Sequence, residues 1–167
     1  HRSGIYITLN NFKAAIADAN KALKLNPKLT NAYANRALAH LALKVPNPNQ
    51  ALQDAEDALK LNPQQSRARY VRAMVMLRQE QFAEAVADFK SVISQQLNYY
   101  EAWHNSGYAH TKLEQYEQAS NCYGQALRIQ PKSVSAYLGR GWAFYKLERY
   151  SLALFDFDNV LKLDPGQ

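Results

Sequence analysis

The side chains of this 167-residue chain that could do chemistry are four histidines, one cysteine, and a scatter of tyrosine, tryptophan, arginine and lysine. Hydrolytic or metal chemistry needs ligands or a nucleophile at fixed spacing, and none of the required patterns occurs. There is no HExxH, no paired-cysteine motif and no glycine-rich phosphate loop. His40 and His110 recur at a position otherwise held by Tyr6, Met76 and Phe144, so they read as packed core residues. Cys122, without a partner thiol, reads as a small half-buried hydrophobe. His104 stands on a different helical face, without the further ligands that would complete a metal site. No metal, no cofactor and no catalytic residue are therefore expected. What remains is recognition chemistry, in which exposed aromatic rings supply desolvated area and arginine or lysine supplies charge.

The elements that position these residues follow a ruler. Ala15, Ala51, Ala85, Ala119 and Ala153 recur at intervals of about 34 residues, and Ala22, Ala58, Val92, Ala126 and Val160 follow them in step. Pro27, Pro63, Leu97, Pro131 and Pro165 close each unit. Small residues at Ala37, Ala73, Gly107 and Gly141 mark a second helix in each. Apolar spacing of three and four, ended by proline, predicts two helices per unit. Helix A spans 30–44, 65–79, 99–113 and 133–147. Helix B spans 12–26, 49–62, 82–97, 116–130 and 150–164. One interval is 36, and KVPNPNQ at 44–50 places its two extra residues in the turn between helices. The repeats divide as 1–29, truncated, then 30–65 with the insertion, 66–99, 100–133 and 134–167, in one array.

The best units carry Trp103, Gly107, Leu113, Tyr116, Ala119, Tyr123, Ala126 and Pro131, and Tyr137, Gly141, Phe144, Leu147, Tyr150, Ala153, Phe157 and Pro165. This pattern resembles the tetratricopeptide repeat over essentially the whole chain. The resemblance implies an all-α fold, a right-handed α-solenoid of antiparallel helix pairs, with helix A lining a concave groove. It also implies a non-catalytic scaffold that binds protein or peptide segments.

The helical wheel of each A helix then selects the candidate peptide-binding residues: Asn35, Arg67, Tyr70, Met74, Arg78, His104, Asn105, Tyr108, Lys112, Trp142, Tyr145 and Lys146. The wheel also places Ala34, Leu38, Leu41 and Val71 on that face. Its basic residues, with a chain charge of +6, point to an acidic or C-terminal segment as partner. Some family members clamp a C-terminal carboxylate with lysine, asparagine and arginine. Asn35 and Arg67 match two of those positions, while Val71 and Gly4 depart from two others, so a complete clamp is not expected. The rival readings are a regulatory array attached to an enzyme and a single-stranded RNA-binding array. Nucleic acid is disfavoured by the small charge excess and by Glu101 within the stripe.

Further expectations concern stability and assembly. Arg69, Gln79 and Leu97 stand where other units have an aromatic, a leucine and a proline, so the third unit should be the weakest and its helix B should run past Leu97. The ends lack a polar cap, which suggests a longer array or self-association. No apolar run reaches the ~20 residues of a membrane span. The compartment is not readable.

Overall fold

The computed structural model describes residues 3, 4, 7, 11–43 and 45–164; Tyr6 and Pro165 of the repeat columns, and Lys44 at the end of the expected 30–44 helix, lie outside the described residues. The described helices are α1 (Phe12–Leu25), α2 (Thr30–Ala42), α3 (Pro48–Leu61), α4 (Ser66–Arg78), α5 (Phe82–Gln95), α6 (Tyr100–Lys112), α7 (Tyr116–Ile129), α8 (Val134–Lys146) and α9 (Tyr150–Leu163). No strand occurs among the described residues. The chain forms two compact units, His1–Gln79 and Glu80–Gln167. The fold is an all-α stack of helix pairs.

In the first unit α1 packs on α2, α2 on α3 and α3 on α4, and the A-type helices α2 and α4 also touch. In the second, α5 to α9 pack in sequence, and α6 also touches α8. Small residues permit this close approach. Ala15, Ala51, Ala85 and Ala119 are fully buried, as are Ala37 and Ala73 on the partner helices. Where glycine takes the A-helix position, an aromatic ring of helix B fills the space. An added Cβ on Gly107 would stand 3.0 Å from the Tyr123 ring, and one on Gly141 2.8 Å from Phe157. Packing at this density leaves no room for a methyl group without a shift.

Helix ends are set by short side chains and by turns. Asn11, Asn47 and Ser133 each accept from the backbone amide three residues on, at 3.2 Å. This satisfies an amide that the first helical turn leaves without a partner. Between helices A and B, the amide of Gln115 donates to His110 and that of Arg149 to Phe144, each at 2.9 Å. Between α2 and α3 the amide of Asn47 reaches back to His40 at 3.1 Å. That hydrogen-bonded loop is two residues longer, so the surplus is accommodated without breaking either helix.

The third repeat departs from two expectations. Helix α5 does not run past Leu97; it ends at Gln95, with Gln96 as its cap. The carbonyl just beyond that cap is held by the next helix, because Trp103 Nε1 donates to Leu97 O at 2.9 Å. Arg69, one period earlier, does the same with its Nε to Pro63 O at 2.9 Å. Arginine thus keeps the donor of the aromatic residue it replaces. Nor is this stretch poorly packed: Val71 and Val75 in the first unit and Phe89 and Val92 in the second are among the largest fully buried side chains. Gln79 causes no core defect either, since it is exposed as the cap of α4.

Candidate functional site

Residues four apart on a helix share a face. On α6 this aligns His104, Tyr108 and Lys112; on α8 it aligns Leu138, Trp142 and Lys146. The two rows are related by the 34-residue period, so they present the same sequence of positions on adjacent A helices. Tyr108 is 40 % exposed, Trp142 47 % and Tyr145 49 %. Lys112 Nζ lies 5.4 Å from the centre of the Tyr108 ring, and Lys146 Nζ lies 5.4 Å from that of Trp142. Each lysine is thereby held over a ring face by attraction to its quadrupole, worth about 0.5–1 kcal/mol at an exposed site.

Around these rows the aromatic residues order one another. Trp142 stacks on Tyr145 at 5.6 Å, and Tyr145 meets Tyr150 edge-on at 5.8 Å. His104 stacks on Tyr100 at 5.6 Å and meets the edge of Tyr123 at 5.5 Å. Tyr100 in turn shares its hydroxyl with Ser133 Oγ at 2.6 Å. Burial holds the His104 imidazole below its ordinary pKa, against the opposing effects of Asn105 and Glu101. The Tyr123 phenol, buried between helices, is pushed up to about 12, chiefly by desolvation, so it stays neutral. Its ring lies so close to Gly139 that an added Cβ there would meet Cζ at 2.4 Å. Gly139 leaves room for this ring.

The first unit places its candidates differently. Asn35, expected on the groove face, is only 6 % exposed. Its Nδ2 donates to Ser3 Oγ at 2.9 Å, and its Oδ1 accepts from Arg67 Nη1. An amide held from both sides ties Ser3, α2 and α4 together. Ala34, Leu41 and Val71 are buried as well, at 0, 6 and 0 % exposure. The single-helix wheel fails at these positions because neighbouring A helices cover part of one another's inner face. Arg67 and Arg78 are exposed, while Tyr70 and Met74 are half-buried, Met74 against the apolar core of the first unit. In the second unit Asn105 is half-buried, and Lys112 and Lys146 are exposed.

Sequence reading missed Tyr100 and Tyr150 as members of the two aromatic clusters, and it missed a buried ionic column. Arg36 donates through Nε and Nη2 to Asp54 at 2.8 and 2.6 Å, and Arg140 does the same to Asp156 at 2.8 and 2.7 Å. Both aspartates are fully buried. The guanidinium pKa is raised in each case, first by this hydrogen bonding. Cys122 stands in the aspartate's place in the fourth repeat and Ser106 in the arginine's, and the two are 3.7 Å apart. The signal was present in the sequence: an arginine directly before the small A-helix residue and an aspartate three after the ladder alanine.

Helix pairs stacked on a 34-residue period define a helical-repeat protein of the interaction-scaffold class. Among the described residues no group of three or more His, Cys, Asp or Glu could hold a metal ion, and no helix is long and apolar enough to cross a membrane. Tetratricopeptide repeat models match residues 1–29, 36–101 and 134–167, and a TPR repeat model matches 107–148. The chain belongs to the tetratricopeptide repeat family. Similar solved structures include MamA, at 18 % identity and a TM-score of 0.81, covering 98 % of this chain and 94 % of that one. MamA 41-end from Desulfovibrio magneticus RS-1 matches at 19 % identity and TM-score 0.81, covering 99 % and 92 %. YrrB, described as a TPR protein with an unusual peptide-binding site, matches at 19 % identity and TM-score 0.80, covering 99 % and 84 %. No curated protein matches the sequence.

Proposed function

We propose that the second unit holds an extended peptide on the α6–α8 face, with an apolar anchor against Tyr108 and Trp142 and acidic groups toward Lys112 and Lys146. The observation that carries this reading is the repeated lysine-over-aromatic pair, with both rings left near half exposure. A merely solvated helix face needs no tryptophan. Exposed aromatic residues flanked by cations are the composition of binding hot spots. In the first unit Arg67 and Arg78 add basic charge, Arg67 while bonded to Asn35. The peptide-binding site ascribed to YrrB supports a peptide as ligand class.

The test is fluorescence anisotropy with a labelled peptide that carries glutamates around one leucine or phenylalanine. Burying Trp142 against the anchor is worth roughly 2 kcal/mol, so Trp142→Ala weakens binding about thirtyfold. Lys146→Ala costs less and flattens the salt dependence, because charge acts mainly on encounter and orientation. A labelled single-stranded RNA run in parallel separates the rival reading, since its affinity falls steeply with salt. Peptide affinity that is indifferent to Trp142→Ala, or RNA binding tighter than the peptide's, overturns the proposal.

A further inference from the structure

The repeat supplies an internal comparison at the Arg36 and Arg140 column. In the first unit Arg36 uses all three sides of its guanidinium. Nε and Nη2 grip Asp54, and Nη1 donates to Asn20 Oδ1 on α1 at 2.6 Å. Arg140 grips Asp156 in the same way. The residue that corresponds to Asn20, five after the ladder alanine, is Gly124. With no side chain there, no acceptor among the described residues takes the place of the Asn20 oxygen at the third donor: an added Cβ on Gly124 would meet only Arg140 Nη1, at 3.8 Å. In place of the missing carboxamide lies an open cavity of about 510 Å³ whose walls come from α7, α8 and α9.

We propose that this cavity is a second binding site, which takes the carboxylate of an acidic side chain from a peptide segment. Three features fit that ligand. The acceptor position is already defined by the Asn20 oxygen in the first unit, and a carboxylate oxygen placed there receives a charge-assisted bond from Arg140 Nη1. The donor is preorganised, because its bidentate grip on Asp156 and the rings of Tyr137 and Phe144, 5.6 and 5.8 Å away, leave the guanidinium little freedom. The charge also matches one negative group. Arg149 is neutralised by Glu117 at 3.2 Å and Arg140 by Asp156, so Arg128 on the rim leaves the pocket one net positive charge. A dianionic phosphate exceeds that single positive charge; a carboxylate matches it. The volume exceeds one water's share of ~30 Å³ many times over and admits the side chain with its flanking backbone.

This site is separate from the aromatic rows. Arg140 lies about 160° around α8 from Trp142, at about 100° per residue. The deciding experiment is an NMR titration of the whole chain with the blocked peptide acetyl-Ala-Leu-Glu-Leu-Ala-amide and its glutamine counterpart. The acidic peptide is expected to shift Gly124, Arg128 and the Arg140 guanidinium, and the glutamine peptide to bind at least fivefold more weakly. Gly124→Asn supplies the acceptor that Asn20 supplies in the first unit, and should weaken binding at least tenfold. Gly124→Ala should leave it within twofold. If Gly124→Asn does not fold, Arg128→Gln carries the test, with a loss of threefold or more. Equal binding of the two peptides, binding that survives the folded Gly124→Asn variant or Arg128→Gln, or shifts confined to α6 and the Trp142 face overturns the proposal. Loss on Trp142→Ala without loss on Gly124→Asn would assign the peptide to the first site alone.

Discussion

At the scale of single residues, the three histidines within helices α2 and α6 illustrate how position decides chemistry. His40 lies in the column shared with His110 and Phe144, and its Nδ1 is buried without a hydrogen-bond partner. His110 escapes that state because Gln115 Oε1 stands 2.7 Å from its Nδ1. Desolvation is the largest influence on both His40 and His104, and it lowers both pKa values below the ordinary 6.5. A histidine with a depressed folded pKa binds fewer protons when folded than when unfolded. Its stabilising contribution is therefore present above the unfolded value and is lost as pH falls from about 6.5 toward the folded one. Thermal melts should show a falling midpoint between pH 7.5 and 5. His40→Phe, which copies the Phe144 solution, should flatten that slope; a slope unchanged by the variant would assign the acid sensitivity elsewhere. The candidate site was partly legible at this scale. Tyr108, Lys112, Trp142 and Lys146 could be read because one helix wheel determines each row. Asn35 could not, because its bonds to Ser3 and Arg67 run between repeats, and a wheel drawn for one helix contains no neighbour.

At the scale of the element, the period that positions the helices also fixes their weak points. Glu80, Glu114 and Glu148 adopt left-handed backbone, with φ of 60, 58 and 58°. Each follows the last residues of an A helix, where the chain must reverse direction within a few residues. For a residue with a Cβ this conformation costs roughly 1–2 kcal/mol, and glycine removes the clash while adding some unfolded-state entropy. Glu114→Gly and Glu148→Gly should each raise stability by about 0.5–1 kcal/mol in urea unfolding. A loss in both would mean that the glutamates make compensating contacts on the folded surface. Helix number, order and boundaries were legible within one or two residues, since alanine spacing and capping residues are local signals. The end of α5 was not. Leu97 lacks proline's block on the helix, yet the chain leaves the helix at Gln96, and the Leu97 carbonyl is taken up by the Trp103 indole of the following helix.

At the scale of the whole molecule, the same column arithmetic shows which surface lacks a neighbour. Leu127 on α7 is 7 % exposed because α8 packs across that helix; its counterpart on α9, Leu161, is 52 % exposed. Leu154 and Phe155 on the same helix are 62 and 60 % exposed. Three large apolar side chains on this one helix exceed the scattered exposure normal for a protein surface. In a purified sample the cover available to them is a second copy of the chain. Opposing this, the net charge of +6 makes copies repel one another, and salt screens that repulsion over a Debye length of about 8–10 Å near physiological ionic strength. Self-association should therefore strengthen with both concentration and salt, the reverse of the salt response expected for an acidic peptide on the lysine rows. Sedimentation velocity at 50 and 500 mM salt reads this directly. Leu154→Lys with Leu161→Lys should hold the chain monomeric at both salts, without loss of helicity by circular dichroism, because neither side chain is part of the buried core. Association that persists in the double variant would place the contact on another surface, and a wild-type chain that stays monomeric at high concentration and 500 mM salt would show that the α9 face does not drive it.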